Sequence, residues 1–206
     1  MKKLNLLVFS FAILLTSCGG SSDFQQLVYE NNPHYSMGYA EYFGDYYITE
    51  NGNKNNVLSI SLFSDSLKIN ELGNLTGLGQ YLFLEDVFQA PTDILLKPGK
   101  YIVNNSGLPF TVAPGINDTI DGEVYPLGAT ISYFEYNAAN SKLKLISSGS
   151  FTVTLPNDSI YTISCDFKTS DSLSLKGSFS ALLPHINQSL IRQKSRLRSR
   201  LVYLKK

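Results

Sequence analysis

Apolar and polar residues alternate with a period of two over most of this chain, the pattern of strands that bury one face and solvate the other. Leu58, Ile60 and Leu62 alternate with Ser59 and Ser61. Phe151, Val153 and Leu155 alternate with Thr152 and Thr154, and Tyr161, Ile163, Cys165 and Phe167 with Thr162, Ser164, Asp166 and Lys168. After Asp171 the run Leu173, Leu175, Gly177, Phe179 and Ala181 keeps the same beat, so three strands meander. Leu143 and Leu145 read as inward against Lys142 and Lys144, and outward lysines suit an edge strand. In the aromatic stretch 35–50, Tyr39, Glu41 and Phe43 share one side while Ala40 and Tyr42 share the other. Asn51-Gly52-Asn53, the glycine-rich residues 73–79, Pro98-Gly99 and Pro156-Asn157-Asp158 punctuate the strands. Residues 104–125, with Pro109, Pro114 and Gly115, form the longest irregular stretch and the first place to look for a binding surface. No segment of residues 34–184 sustains a 3.6-residue apolar period. The pattern predicts an all-β body over 34–184, a single antiparallel β-sandwich of about 8–10 strands.

The one long apolar run lies elsewhere. Residues 6–18, LLVFSFAILLTSC, follow a basic start, Met1-Lys2-Lys3, and give way to Ser21, Ser22 and Asp23. Such a run falls short of the roughly 17–25 apolar residues of a spanning helix and has the profile of a secretory signal. Its last four residues, Leu15-Thr16-Ser17-Cys18, look like a bacterial lipobox. Residues 1–17 are therefore read as a lipoprotein signal peptide, Cys18 as the lipidated residue, and 18–33 as a tether. With Cys18 acylated, Cys165 is a single thiol, and its place in a strand makes it a buried small hydrophobe.

Charge separates the body from the tail. Between Cys18 and Ile191 there are eight lysines and no arginine against all 17 acidic residues, a net charge of −9, which disfavours nucleic acid as a partner. The four arginines, Arg192, Arg196, Arg198 and Arg200, all lie in the tail, residues 185–206, read as poorly ordered or as a basic amphipathic helix carrying Leu190, Leu197, Leu201 and Leu204. The inward-alternating pattern stops near Ala181, so the tail is expected outside the core.

Candidate chemistry is sparse. The two histidines, His34 and His185, stand at opposite ends of the body, and there is no HExxH, CxxC or GxSxG. No metal ligand set or cofactor is expected; residues 117–123 lack the bidentate acid of a calcium loop, with Gly128 at the twelfth position. Glu41 and Glu135 are the carboxylate pair that a glycosidase-like site would use. Tyr39, Tyr42, Tyr46 and Tyr47 are candidate sugar-stacking residues, because Tyr35 to Tyr47 carries more aromatic surface than one strand can bury.

The pieces AEYFGDYY (40–47), GQYLFL (79–84), KPGKY (97–101) and KGSFS (176–180) together resemble a group of Bacteroidota envelope lipoproteins with β-sandwich bodies. The resemblance implies an envelope location and carries over no functional residue. The reading that results is a lipid-anchored protein of the outer membrane, periplasmic or surface-exposed. Its role is non-enzymatic binding or scaffolding, with a glycan or an envelope protein as partner beside the membrane itself. A glycosidase-like hydrolase using Glu41 and Glu135, or a structural or adhesive subunit, are the alternatives.

Overall fold

Two strands far longer than the rest carry the architecture of the computed structural model, which describes residues 29–47, 52–72, 74–120, 122–135 and 137–189. Cys18, the signal segment, most of the tether and residues 190–206 lie outside the described residues. The chain is all-β, with no helix among the described residues. Its strands are β1 (His34–Gly44), β2 (Asn56–Ser64), β3 (Leu67–Ile69), β4 (Leu75–Gln89), β5 (Gly99–Val103), β6 (Thr111–Val112), β7 (Ile116–Ile120) and β8 (Glu123–Leu127). They continue with β9 (Ala129–Glu135), β10 (Asn137–Thr154), β11 (Ile160–Thr169), β12 (Ser174–Leu175), β13 (Ser178–Leu182) and β14 (His185–Asn187).

These strands form one large mixed sheet and a small hairpin of β7 with β8. The large sheet returns on itself. β1 pairs with β2, β2 with β4, β4 with β9, β9 with β10, β10 with β11, and β11 with β13, all antiparallel. β13 then lies parallel to β1 and closes the ring. The expected antiparallel two-sheet sandwich is thus replaced by a single sheet that curls into a barrel. The physical cause lies in β4 and β10, of 15 and 18 residues, each interrupted by a bulge. Asp86, at a positive φ of 56°, marks the bulge of β4, and the β10–β11 register slips between Ile146 and Ser148. Bulges bend and twist a long strand so that it serves both sides of one core, and closure leaves one-sided pairing to the short strands β3, β12 and β14 among the described residues. At one end β9 fills the gap between β4 and β10; at the other, the short strands β6 and β5 fill it.

The inside of this ring is solid. Ala40, Ile60, Leu82, Ile131, Phe151, Ile163, Phe167 and Phe179 all point inward and are buried. Tyr101 stacks on Phe151 at 4.7 Å, and Phe151 meets Phe167 edge-on at 6.3 Å. A ring of about this size has an interior just wide enough for side chains to fill, so it is a core and no ligand chamber. Cys165 belongs to that core as expected, and burial pushes its thiol up to about 12, so it stays protonated and inert.

Other sequence expectations change. Lys144 and Ile146, rather than Leu143 and Leu145, take the inward phase at the start of β10: Lys144 stands opposite buried Ile131, bonds Asp171 and lies 4.9 Å above the Tyr29 ring. The extra residue in the bulge before Gly149 reverses the phase; residues 142–145 are paired with β9 on one side, and the pairing with β11 on the other side runs from Ile146 to Thr154. Leu173 remains 38% exposed, so the inward run starts only at Leu175. Residues 104–125 contain β6, β7 and the start of β8, with more than half of the stretch outside strands.

The tail also begins later than expected. Leu183 is buried, β14 pairs parallel with β1 through Ala40, Glu41 and Tyr42, and Gln188 N–H donates to the Tyr42 carbonyl at 2.8 Å. His185 fixes this strand: its Nε2 accepts the Leu96 N–H at 3.1 Å, and its ring packs on Tyr161 at 5.4 Å. Burial holds the His185 pKa below the ordinary 6.5, only partly opposed by a bond to the Leu183 backbone. The folded state therefore binds this proton less readily than the unfolded one, so its contribution is complete above pH 6.5 and is lost as pH falls toward the folded-state value. Urea midpoints measured from pH 8 down to pH 5.5 should decline below about 6.5, and His185→Gln should flatten that slope. An equal slope in both proteins would assign it to other groups.

Candidate functional site

The barrel has two ends. The near end carries residues 29–35, the turn after β2 and the β11–β12 turn; the far end carries the β1–β2 connection, residues 90–98 and β14. The far end holds an open depression of about 450 Å³ lined by Tyr42, Gly44, Asp45, Lys54, Asn56, Pro91 and Ser189. Tyr42 is the last inward residue of β1 before the chain turns at Gly44, so its ring packs on the top of the core while one side faces the depression. Burial, then the charge of Asp45, raises its phenol pKa, which keeps the hydroxyl protonated and able to donate. Asn56 is buried, and its Nδ2 donates to the carbonyls of Pro91 and Asp93 at 3.0 and 2.9 Å, fixing the opposite wall. Ser189 Oγ donates to Asn187 Oδ1 at 2.7 Å and leaves its lone pairs to accept. Lys54 and Asp45 are exposed on the rim. One aromatic wall with a cation, an anion, an amide and a hydroxyl is suited to a polyhydroxylated ligand.

The other predicted tyrosines go elsewhere. Tyr46 and Tyr47 are buried, in a second apolar cluster with Phe43, Val57 and Phe88. Tyr47 donates to Asp86 Oδ2 at 2.7 Å, at the β4 bulge. Their exposure, which stacking requires, is not found. Tyr39 lies on the outer barrel surface, in an aromatic row with Phe63, Tyr81, Phe83 and Phe134. Phe63 and Tyr81 stack with an interplanar angle of 6° and centroids 4.8 Å apart, so their faces are spent on each other. Ser61 is sheltered among these taller rings and bonds the Tyr81 hydroxyl at 3.1 Å.

The carboxylate pair does not assemble. Glu41 stands on the outer surface, its two oxygens accepting from Ser59 Oγ at 3.2 Å and Gln188 Nε2 at 3.1 Å. Glu41 pairs with Ser59, which faces the bulged Leu84 to Val87 step of β4, whereas Glu135 pairs with Leu78 near the other end of that strand. At about 3.3 Å per residue the two backbones lie on the order of 20 Å apart along the strands, beyond the roughly 5–10 Å that glycosidase carboxyls need.

Asp45, Lys54, Asn56 and Ser189 were missed by reasoning from the sequence. The signal available is the turn pair Gly44-Asp45 and Asn51-Gly52-Asn53, which brings Asp45 and Lys54 to one end of a hairpin; Ser189 carries none, since it lies past Ala181, where the inward alternation stops. No family model, no curated protein and no solved structure matches this chain.

Proposed function

We propose that this protein is a lipid-anchored component of the cell envelope that binds glycan, without catalysis, in the far-end depression. The observation that carries the binding part is the 450 Å³ concavity in which Tyr42 shares a wall with Asp45, Lys54, Asn56 and Ser189. Sugars present apolar C–H faces and a ring of hydroxyls, and this lining offers an aromatic surface for the first and paired donors and acceptors for the second. The anchor rests on the lipobox-like Leu15-Thr16-Ser17-Cys18, and the outer membrane follows from the family resemblance. The separation of Glu41 from Glu135 favours binding over hydrolysis.

The test is retention on a broad glycan array. Lys54→Ala and Tyr42→Leu should each lower retention roughly tenfold, the loss of one charged hydrogen bond or one stacking wall. Tyr46→Ala and Tyr47→Ala should instead lower the melting temperature, because their rings are core. Wild-type protein that retains no glycan, or Lys54→Ala protein that binds as wild type does, would refute the reading.

A further inference from the structure

The β3–β4 hairpin extends the barrel wall past its near end and finishes in an exposed apolar tip: Leu72 is 84% exposed and Ile69 50%. Three hydrogen bonds build that tip. Asn70 Oδ1 accepts the N–H groups of Leu72 and Asn74 at 3.0 and 2.9 Å, and Asn70 N–H donates to the Asn74 carbonyl at 3.0 Å. Leu72 and Asn74 therefore have their N–H groups satisfied inside the turn, which lowers the cost of taking it out of water.

The place of the tether supplies the second observation. Glu30 lies at the base of this same hairpin: its N–H donates to Gln80 Oε1 at 2.5 Å, and Gln80 Nε2 donates to its carbonyl at 3.3 Å. From Gln80 back to Asn74 the hairpin projects on the order of 20 Å. Eleven Cα-to-Cα steps lead from Cys18 to Tyr29, enough to span at most about 37 Å. That length runs alongside the hairpin to its tip with slack. To bring the far end to the bilayer, the same tether would have to pass the whole barrel, a strand of 11 residues or about 35 Å, at nearly full extension.

We infer that the β3–β4 tip is a membrane-contacting element, in which Leu72 and Ile69 dip into the interfacial layer of the bilayer that holds Cys18. The inference rests on the lipid-anchor reading above. The charged neighbours Lys68 and Glu71 stay among the headgroups, which limits the contact to that layer. The barrel then stands upright, and the Tyr42 depression faces away from the membrane, toward soluble or wall-bound glycan.

The test uses the full lipidated chain in vesicles of phosphatidylethanolamine and phosphatidylglycerol that contain a lipid-borne quencher. A polarity-sensitive dye is placed on Leu72→Cys and, in a second protein, on Leu108→Cys, a 61%-exposed far-end position; Cys165 is buried and does not label. The Leu72 dye should shift to the blue and be quenched several-fold more than the Leu108 dye. Vesicle-bound protein with neither dye quenched, or with both quenched alike, overturns the upright contact and leaves the anchor standing. Protein that stays off the vesicles, as Cys18→Ser should, overturns the anchor and this inference together.

Discussion

Cys18→Ser, made in the full chain and expressed in a bacterium that processes lipoproteins, should move the protein from the membrane fraction to the soluble one. Acyl chains contribute about 0.8 kcal/mol per buried CH₂, and a single chain holds a protein only marginally, so stable anchoring needs the several chains that a processed lipobox cysteine carries. All of them depend on the one thiol and on the cleavage it directs. No helix among the described residues is long and apolar enough to cross a membrane and replace that anchor. On the proposed reading the two exposed residues at the β3–β4 tip would add contact once the chain is tethered, but would bury too little surface to hold it alone. Fractionation followed by detergent extraction reads the result directly. Membrane partition equal to that of the wild type, in Cys18→Ser protein whose intact mass shows residues 1–17 removed, would refute the lipobox reading, and the intact mass of the wild type shows whether acyl chains are present.

The period of two was enough to identify β11 and β13, which have one face in the core and one in water, and β2, whose alternate face of Ser59 and Ser61 is covered by neighbouring side chains. Leu58, Ile60 and Leu62, and likewise Ile163, Cys165 and Phe167, point inward as their spacing requires. Alternation says nothing about which strand comes to lie beside which. The ring closes through β13 lying parallel to β1 and β9 pairing with β4, contacts made between residues far apart in the chain. Nor does a period survive a bulge. Alternation puts Leu143 and Leu145 in phase with Phe151 and Val153, but the slip between Ile146 and Ser148 inserts one residue and turns the start of β10 over. The lone glycine that follows, Gly149, was the available warning of a bulge. The candidate site was legible only in part. Tyr42 and Tyr39 sit on opposite faces of β1, as their odd and even positions demand, so one strand could not offer both to a single ligand. Tyr46 and Tyr47 lie beyond Gly44, where the chain leaves the strand and folds against Phe88. Nothing in their spacing distinguishes that from exposure.

The same glycine carries a large stability effect, because substitution there meets backbone on the neighbouring strand. Gly149 has φ of +114°, and a Cβ built there would sit 2.2 Å from the Asp166 carbonyl oxygen and 2.7 Å from the Phe167 Cα. Both are backbone atoms of β11, the strand to which β10 is bonded on either side of this point, so no side chain can swing away to make room. Relief requires parting β10 from β11 just where Phe151 and Phe167 interlock in the core. Gly149→Ala should therefore cost about 3 kcal/mol or more, the sum of an unfavourable backbone region and local loss of packing. Gly122→Ala serves as the control, since its φ of +88° is similarly unfavourable while nothing lies within 4 Å of the added carbon. It should lose only about 1–2 kcal/mol, the conformational penalty alone. Urea unfolding of the two variants separates the terms: a clearly lower midpoint for Gly149→Ala is expected, and equal midpoints would mean that β10 and β11 do not meet as closely as the register between Gly149 and Phe167 requires.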